Sequence, residues 1–144
     1  MTVVAWDGRT LAADKASNFS GFLATATKIY RLPCGGLVGF AGDADKAMMM
    51  LEWFKRGRQI EEFPECNKTD PTSCLFISSD GTVYRYDGLP RTMLIENHFY
   101  AMGCGRDYAL AAMHLGYDAR RAVEVACALD ANCGVGIDSL ELQR

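Results

Sequence analysis

Residues 1–17, MTVVAWDGRTLAADKAS, open on a methionine and a threonine and run at once into an alternating apolar pattern. Val3 and Ala5 alternate with Val4 and Trp6, the two-residue period of a strand with distinct faces. Asp7-Gly8 is a strong hairpin pair, so Thr10 to Ala16 reads as the returning strand. Two features stand out. A threonine lies directly behind Met1 with no loose tail before the first strand, and the aspartate Asp14 closes the apolar run Leu11-Ala12-Ala13.

The pattern continues outward from that hairpin. Residues 17–26, SNFSGFLATA, are small and polar and read as a loop with some extended character. TKIYRLP reads as a strand with Lys28, Tyr30 and Leu32 on one face and Ile29 and Arg31 on the other. LVGFAG reads as a strand buried on both sides. Asp43 is the expected N-cap of a helix from Ala44 to about Arg56, with Ala47, Met48, Leu51 and Phe54 on one face and Gly57 as its stop. Met48, Met49 and Met50 read as core or interface filler. Residues 57–72 read as a polar linker containing Pro64 and Pro71, partly helical at its start. SCLFISS, Asp80-Gly81 and TVYRYDG form a second hairpin. HFYAMG is a further strand, followed by helices from about Arg106 to Leu115 and from the Asp118 cap to about Leu129. VGIDSLEL is the final strand. This order predicts an α+β fold, and covering both sheet faces is satisfied by a four-layer αββα sandwich.

With 144 residues the chain is expected to form one domain, 1–144, and 49% hydrophobic residues suffice for a sizeable core. A net charge of −3 argues against bulk electrostatic affinity for nucleic acid or anionic lipid. No stretch reaches membrane-spanning length and no signal peptide is visible, so the expected compartment is the cytoplasm. There the six cysteines are expected to be free thiols, mostly buried. They form no CxxC pair, and His98 and His114 do not sit at zinc-finger spacing, so no metal or cofactor is expected. Asn67-Lys68-Thr69 matches a glycosylation sequon that has no meaning without secretion.

The chemistry-bearing residues lie on the first three strands. An N-terminal threonine carries both a nucleophilic hydroxyl and, in its α-amino group, a base that titrates at ~7.7–8.0. A neighbouring lysine favours the neutral amine, and a carboxylate holds that lysine ionised and oriented. Thr2, Asp14 and Lys28 supply this set at even separations, compatible with one sheet face, although the intervening loops weaken parity as proof. Taken singly, each residue reads as ordinary strand-end or surface polarity.

Together with six segments in order, these residues resemble the proteasome β-subunit group of N-terminal-nucleophile hydrolases, especially the bacterial HslV-type peptidases and their shorter relatives. The segments are TVVAWDGRTLAAD, TKIYRL, GGLVGFAGDADKA, DGTVYRYDG, FYAMGCGRDYALAAM and ALDANCGVGIDSLEL, which span nearly the whole chain. The resemblance implies that Met1 is removed, exposing Thr2 as nucleophile and base. It implies that Lys28 tunes the Thr2 amine, that Asp14 holds Lys28, and that the Gly42 N–H receives the oxyanion. Phe40 matches the base of the pocket for the substrate side chain before the scissile bond. Asn18 and Ala44 match positions whose backbones pair with an extended substrate. Asp130 matches an aspartate that supports the amine. The resemblance further implies unfolded polypeptide substrates, homo-oligomeric stacked rings enclosing the sites, and an ATP-dependent unfoldase partner. The chain has no P-loop of its own.

Two positions depart from the pattern. Cys104, in GCG, and Cys133, in Asp-Ala-Asn-Cys-Gly, stand where serine is usual, and a thiol is the weaker hydrogen-bonding group. The first hairpin is also shorter than usual; equal shortening of both strands preserves side-chain facing. Alternatives of other classes are an inactive ring-forming scaffold or binding module on the same fold, and a small-molecule amidase.

Overall fold

The computed structural model describes residues 2–65 and 72–143. The opening hairpin forms as read: β1 (Val4–Trp6) and β2 (Thr10–Asp14) pair antiparallel through Trp6↔Leu11. Asp7 holds the turn, its Oδ1 accepting the Arg9 and Thr10 N–H groups at 2.8 Å each. The second strand ends two residues earlier than expected, at Asp14. The chain then breaks direction at Lys15 and enters β3 (Ala16–Phe19), which pairs with β4 (Phe22–Thr25). Residues 17–26 are therefore a hairpin of their own and not a loop. Their ladder is internal, so the alternation that marks a half-buried strand is absent, and Phe19, Phe22 and Leu23 stay exposed.

β5 (Ile29–Arg31), β6 (Leu37–Gly42), β7 (Thr72–Ile77), β8 (Val83–Tyr86) and β9 (Thr92–Ile95) form one antiparallel sheet in that order. β9 has no counterpart in the sequence reading: it is an edge strand with Thr92, Met93 and Leu94 exposed, so burial leaves no pattern in it. β10 (Tyr100–Met102) and β11 (Ile137–Glu141) flank the first hairpin in the order β10-β1-β2-β11. Three α-helices are described: α1 (Ala44–Lys55), α2 (Arg106–His114) and α3 (Ala119–Leu129). Asp43 and Asp118 cap α1 and α3 as expected, accepting from the Lys46 and Arg121 N–H groups. A 3-10 turn at Ile60–Glu62 matches the helical start read into the linker. Cys66, the sequon and Pro71 lie outside the described residues.

Strand alternation sorts the side chains into three core clusters. Val3, Ala5 and Ala12 pack with Ala109, Ala112, Val123 and Ala126 of α2 and α3. Their strand neighbours Val4, Trp6, Leu11 and Ala13 pack with Leu37, Leu75 and Ile77 of the five-stranded sheet. On that sheet, the alternate residues Val38, Phe40, Cys74 and Phe76 pack with Met50, Leu51, Trp53 and Phe54 of α1. Edge-to-face rings close this third cluster, Trp53 lying 4.9 Å from Phe63 and 5.7 Å from Tyr86. The methionine run is split: Met50 is buried in this cluster, whereas Met48 and Met49 are half exposed. The thiols are split as well. Among the five described cysteines, all free, Cys74 and Cys133 are buried, Cys127 is intermediate and Cys34 and Cys104 are exposed, so "mostly buried" does not hold.

Leu75 is fully buried between the two sheets. Leu75→Ala is expected to destabilise the fold by about 2–5 kcal/mol, through lost transfer energy and a cavity, in a denaturant titration.

Candidate active site

Asp14 is the last residue of β2 and has no solvent exposure. A buried carboxylate needs donors on both oxygens. Oδ1 accepts the Val3 N–H at 3.0 Å and the Lys28 ammonium at 2.8 Å. Oδ2 accepts the Gly134 N–H at 3.1 Å and the Ala16 N–H at 3.3 Å. The carboxylate thereby ties together the start of β1, the β2–β3 corner, the approach to β5 and the loop before β11.

Lys28 precedes β5, and its carbonyl accepts the Phe40 N–H at 3.0 Å, which fixes it beside β6. The lysine side chain is 9% exposed. Its ammonium bridges Asp14 and Thr2, donating to Thr2 Oγ1 at 3.3 Å. Thr2 is itself buried, at 7% exposure. Its N–H points to Cys104 Sγ at 3.2 Å, and its carbonyl accepts the Gly105 N–H at 3.1 Å. The segment after β10 grips Thr2 closely at Gly103. A Cβ there would lie 2.2 Å from the Thr2 carbonyl oxygen, and φ is +94°, so only glycine fits. Sequence reasoning did not single out Gly103; the signal was the spacing Gly-Cys-Gly itself.

Thr2, Lys28, Phe40, Gly42 and Ala44 line one pocket of about 270 Å³, together with residues of the β3–β4 hairpin. An adjoining pocket of about 340 Å³ is lined by Ser17, Asn18, Gly42 and Ala44, and Gly42 also lines a third with Arg85 and Arg106. A groove thus passes Gly42 between β3 and the β6–α1 junction. Gly42 is exposed, with φ +110°. Phe40 is only 4% exposed; it belongs to the α1 core cluster and also lines the pocket. The Asn18 side chain accepts the Gly21 N–H of its own turn.

Asp130 ends α3. One carboxylate oxygen accepts the Asn132 N–H at 2.8 Å, and the carboxylate lies near the sulfurs of Cys104 and Cys133. These sulfurs are 3.8 Å apart. Burial above all, then the neighbouring Cys104 and Asp14, pushes the Cys133 thiol well up from its ordinary value. Of the nine residues singled out from the sequence, Thr2, Asp14, Lys28 and Cys104 are joined by direct hydrogen bonds. Phe40, Gly42, Ala44 and Asn18 line the groove, and Asp130 stands behind Cys104.

No family model and no curated protein matches the chain. Solved structures do. HslV of Trypanosoma brucei superposes with a TM-score of 0.75 at 21% identity, and BPH of Thiobacillus denitrificans in complex with epoxomicin with 0.72 at 20%, each match covering 100% of both chains. A second structure of that BPH gives 0.70 at 20% identity, over 99% of both chains. The chain has the HslV-type fold. The resemblance read from the sequence therefore holds at the level of architecture: mixed α and β, three described helices, and antiparallel sheets. In this HslV-type frame Thr2, Asp14 and Lys28 come from three separate segments and meet at one end of the sheets. No helix among the described residues is long and apolar enough to cross a membrane.

The network predicts unequal costs. Asp14→Ala strands a buried ammonium and three N–H groups, and should cost about 3–5 kcal/mol by chemical denaturation. Lys28→Met leaves Asp14 its three backbone donors but no counter-charge, and should also destabilise the fold, by less than Asp14→Ala, in the same measurement.

Proposed function

We propose that the protein is a threonine-type endopeptidase acting on unfolded polypeptides, with Thr2 as the N-terminal residue after removal of Met1. The observation that carries this reading is the position of the Lys28 ammonium, 3.3 Å from Thr2 Oγ1 and 2.8 Å from Asp14 Oδ1. A nearly buried lysine bonded to a threonine hydroxyl favours the ionised or attacking form of that oxygen. It also disfavours a second positive charge on the adjacent α-amine. The amine, kept neutral, takes the hydroxyl proton as Oγ1 attacks the scissile carbonyl. Charge then develops on the carbonyl oxygen, and the Gly42 N–H at the rim of the groove is the proposed donor to it. The amine returns its proton to the leaving nitrogen, leaving an ester on Thr2 that water hydrolyses.

The surrounding residues fit supporting roles. Cys104 Sγ, within 3.2 Å of Thr2 N, takes the place of the usual serine in orienting the amine, and Asp130 supports it from behind. The groove suits an extended chain pairing with the backbones of Asn18 and Ala44, a mode that reads little sequence. Phe40 forms the apolar floor for the side chain before the cleaved bond.

In this reading the single domain 1–144 is a four-layer αββα sandwich, in line with its three core clusters. It assembles into homo-oligomeric stacked rings that enclose the groove in a cytoplasmic chamber, fed by an ATP-dependent unfoldase. The exposed apolar residues Phe19, Phe22 and Leu23 of the β3–β4 hairpin and Met48 and Met49 of α1 suit subunit contacts.

Intact mass should be lower than that of the full translation by one methionine, and the processed chain should hydrolyse fluorogenic peptides. Thr2→Ala should reduce hydrolysis to background, and Lys28→Ala should lower kcat by ~10²–10⁴. Equal hydrolysis by wild type and Thr2→Ala would refute the mechanism. A processed, assembled wild type with no hydrolysis would favour a scaffold.

A further inference from the structure

We propose that Cys104, Cys133 and Asp130 form a binding site for a thiophilic divalent cation, Zn²⁺ foremost, whose fourth position is taken by the Thr2 amine once Met1 is removed and by water otherwise. Two thiolates at ~2.3 Å from a tetrahedral zinc stand ~3.8 Å apart. The Cys104 and Cys133 sulfurs are separated by 3.8 Å. An oxygen of Asp130 and both sulfurs lie within 4.8 Å of one another. Thr2 N lies 3.2 Å from Cys104 Sγ. Two sulfurs, one carboxylate oxygen and one nitrogen are a donor set that suits zinc and not the hard cations, which prefer oxygen throughout.

The cluster is also built to hold its ligands in place. The Cys133 N–H donates to the Asp130 carbonyl at 3.1 Å, and Asp130 Oδ1 is held by the Asn132 N–H. Gly105 leaves room for the Cys133 sulfur, since a Cβ at that position would stand 3.0 Å from it. Cys133 is 8% exposed, while Cys104 is open to solvent and gives a path of entry. On binding, both thiols release their protons to solvent and no redox change occurs. The two serine-to-cysteine departures thus acquire one shared consequence. The fourth ligand and the inhibition rest on the peptidase reading, which frees the Thr2 amine: a metal-bound amine has no lone pair with which to accept the Thr2 hydroxyl proton. Zn²⁺ would therefore shut the site reversibly.

Co²⁺ titrated into the metal-free full chain reports the site directly. One equivalent should produce thiolate-to-cobalt charge-transfer absorption with intense tetrahedral d–d bands, and Zn²⁺ should displace it. Cys104→Ser and Cys133→Ser should each lose the charge-transfer band, and Cys34→Ser should keep it. Absence of the band in wild type, or its persistence in both Cys104→Ser and Cys133→Ser, overturns the proposal. In the unmutated chain, Zn²⁺ should slow alkylation at Cys104 and Cys133 at least ~10-fold and leave Cys34 unaffected. Equal alkylation with and without Zn²⁺ overturns it independently of how the variants fold. The three side-chain ligands are present whether or not Met1 is removed, and Thr2→Ala leaves them intact and should bind Co²⁺ like wild type, so failure of the peptidase reading and failure of the metal site are separate results. If hydrolysis is present, stoichiometric Zn²⁺ should suppress it and a chelator should restore it.

Discussion

The architecture around Thr2 depends on one buried carboxylate. Asp14 sits at the end of β2 with no exposure, where an unpaired charge is prohibitively costly. Four donors meet it: one ammonium and three backbone N–H groups, from Val3, Ala16 and Gly134. Each donor belongs to a different part of the chain. Satisfying the charge therefore fixes where β1 begins, where β2 turns into β3, how the chain enters β5 and how it approaches β11. A buried ion pair seldom adds net stability over an apolar pair of the same shape. Its retention here is better accounted for by position: it brings the Lys28 ammonium against the Thr2 hydroxyl and holds it there.

The rest of the structure makes that position rigid. Alternation along β1 and β2 sends Val3, Ala5 and Ala12 into the packing with α2 and α3, and Val4, Trp6, Leu11 and Ala13 against the second sheet. Thr2 is consequently anchored by a strand packed on both faces. The Gly103 and Gly105 segment closes over its backbone. On the far side of the groove, β6 ends at Gly42 and α1 starts at Ala44, so the proposed oxyanion donor is set by a strand-to-helix junction capped by Asp43. Rigid elements on both sides suit the proposed mechanism, in which a hydroxyl, an amine and a carbonyl are aligned at once.

Much of this was legible in the residues. Asp7-Gly8, Asp80-Gly81, Asp43, Asp118 and Gly57 mark turns, caps and a stop by local chemistry that needs no tertiary knowledge, and the elements they bound are present. Thr2, Asp14 and Lys28 were legible as a set because a threonine, an aspartate and a lysine can work together chemically; that they meet across two sheets, with Thr2 just before β1 and Lys28 just before β5, and not on one sheet face, was not. The β3–β4 hairpin was not legible, because its strands pair only with each other and carry no buried stripe. β9 was missed for the related reason that it is an exposed edge. Gly103 could be understood only once Thr2 O was seen 2.2 Å from where its side chain would begin. The pairing of Cys104 with Cys133 joins residues from opposite ends of two helices, a proximity that no spacing in the sequence encodes.

In the proposed mechanism one residue supplies both nucleophile and base. A peptide epoxyketone tests it directly, because the hydroxyl of a 1,2-amino alcohol adds to the ketone while its amine opens the epoxide, closing a ring. Mass spectrometry of the treated protein should reveal an adduct of the full reagent mass, with no atom lost, mapped to an N-terminal Thr2 through both Oγ1 and N. A chain with Thr2 at its N-terminus and the fold intact that gains no such adduct, or gains it at another residue, would contradict the account.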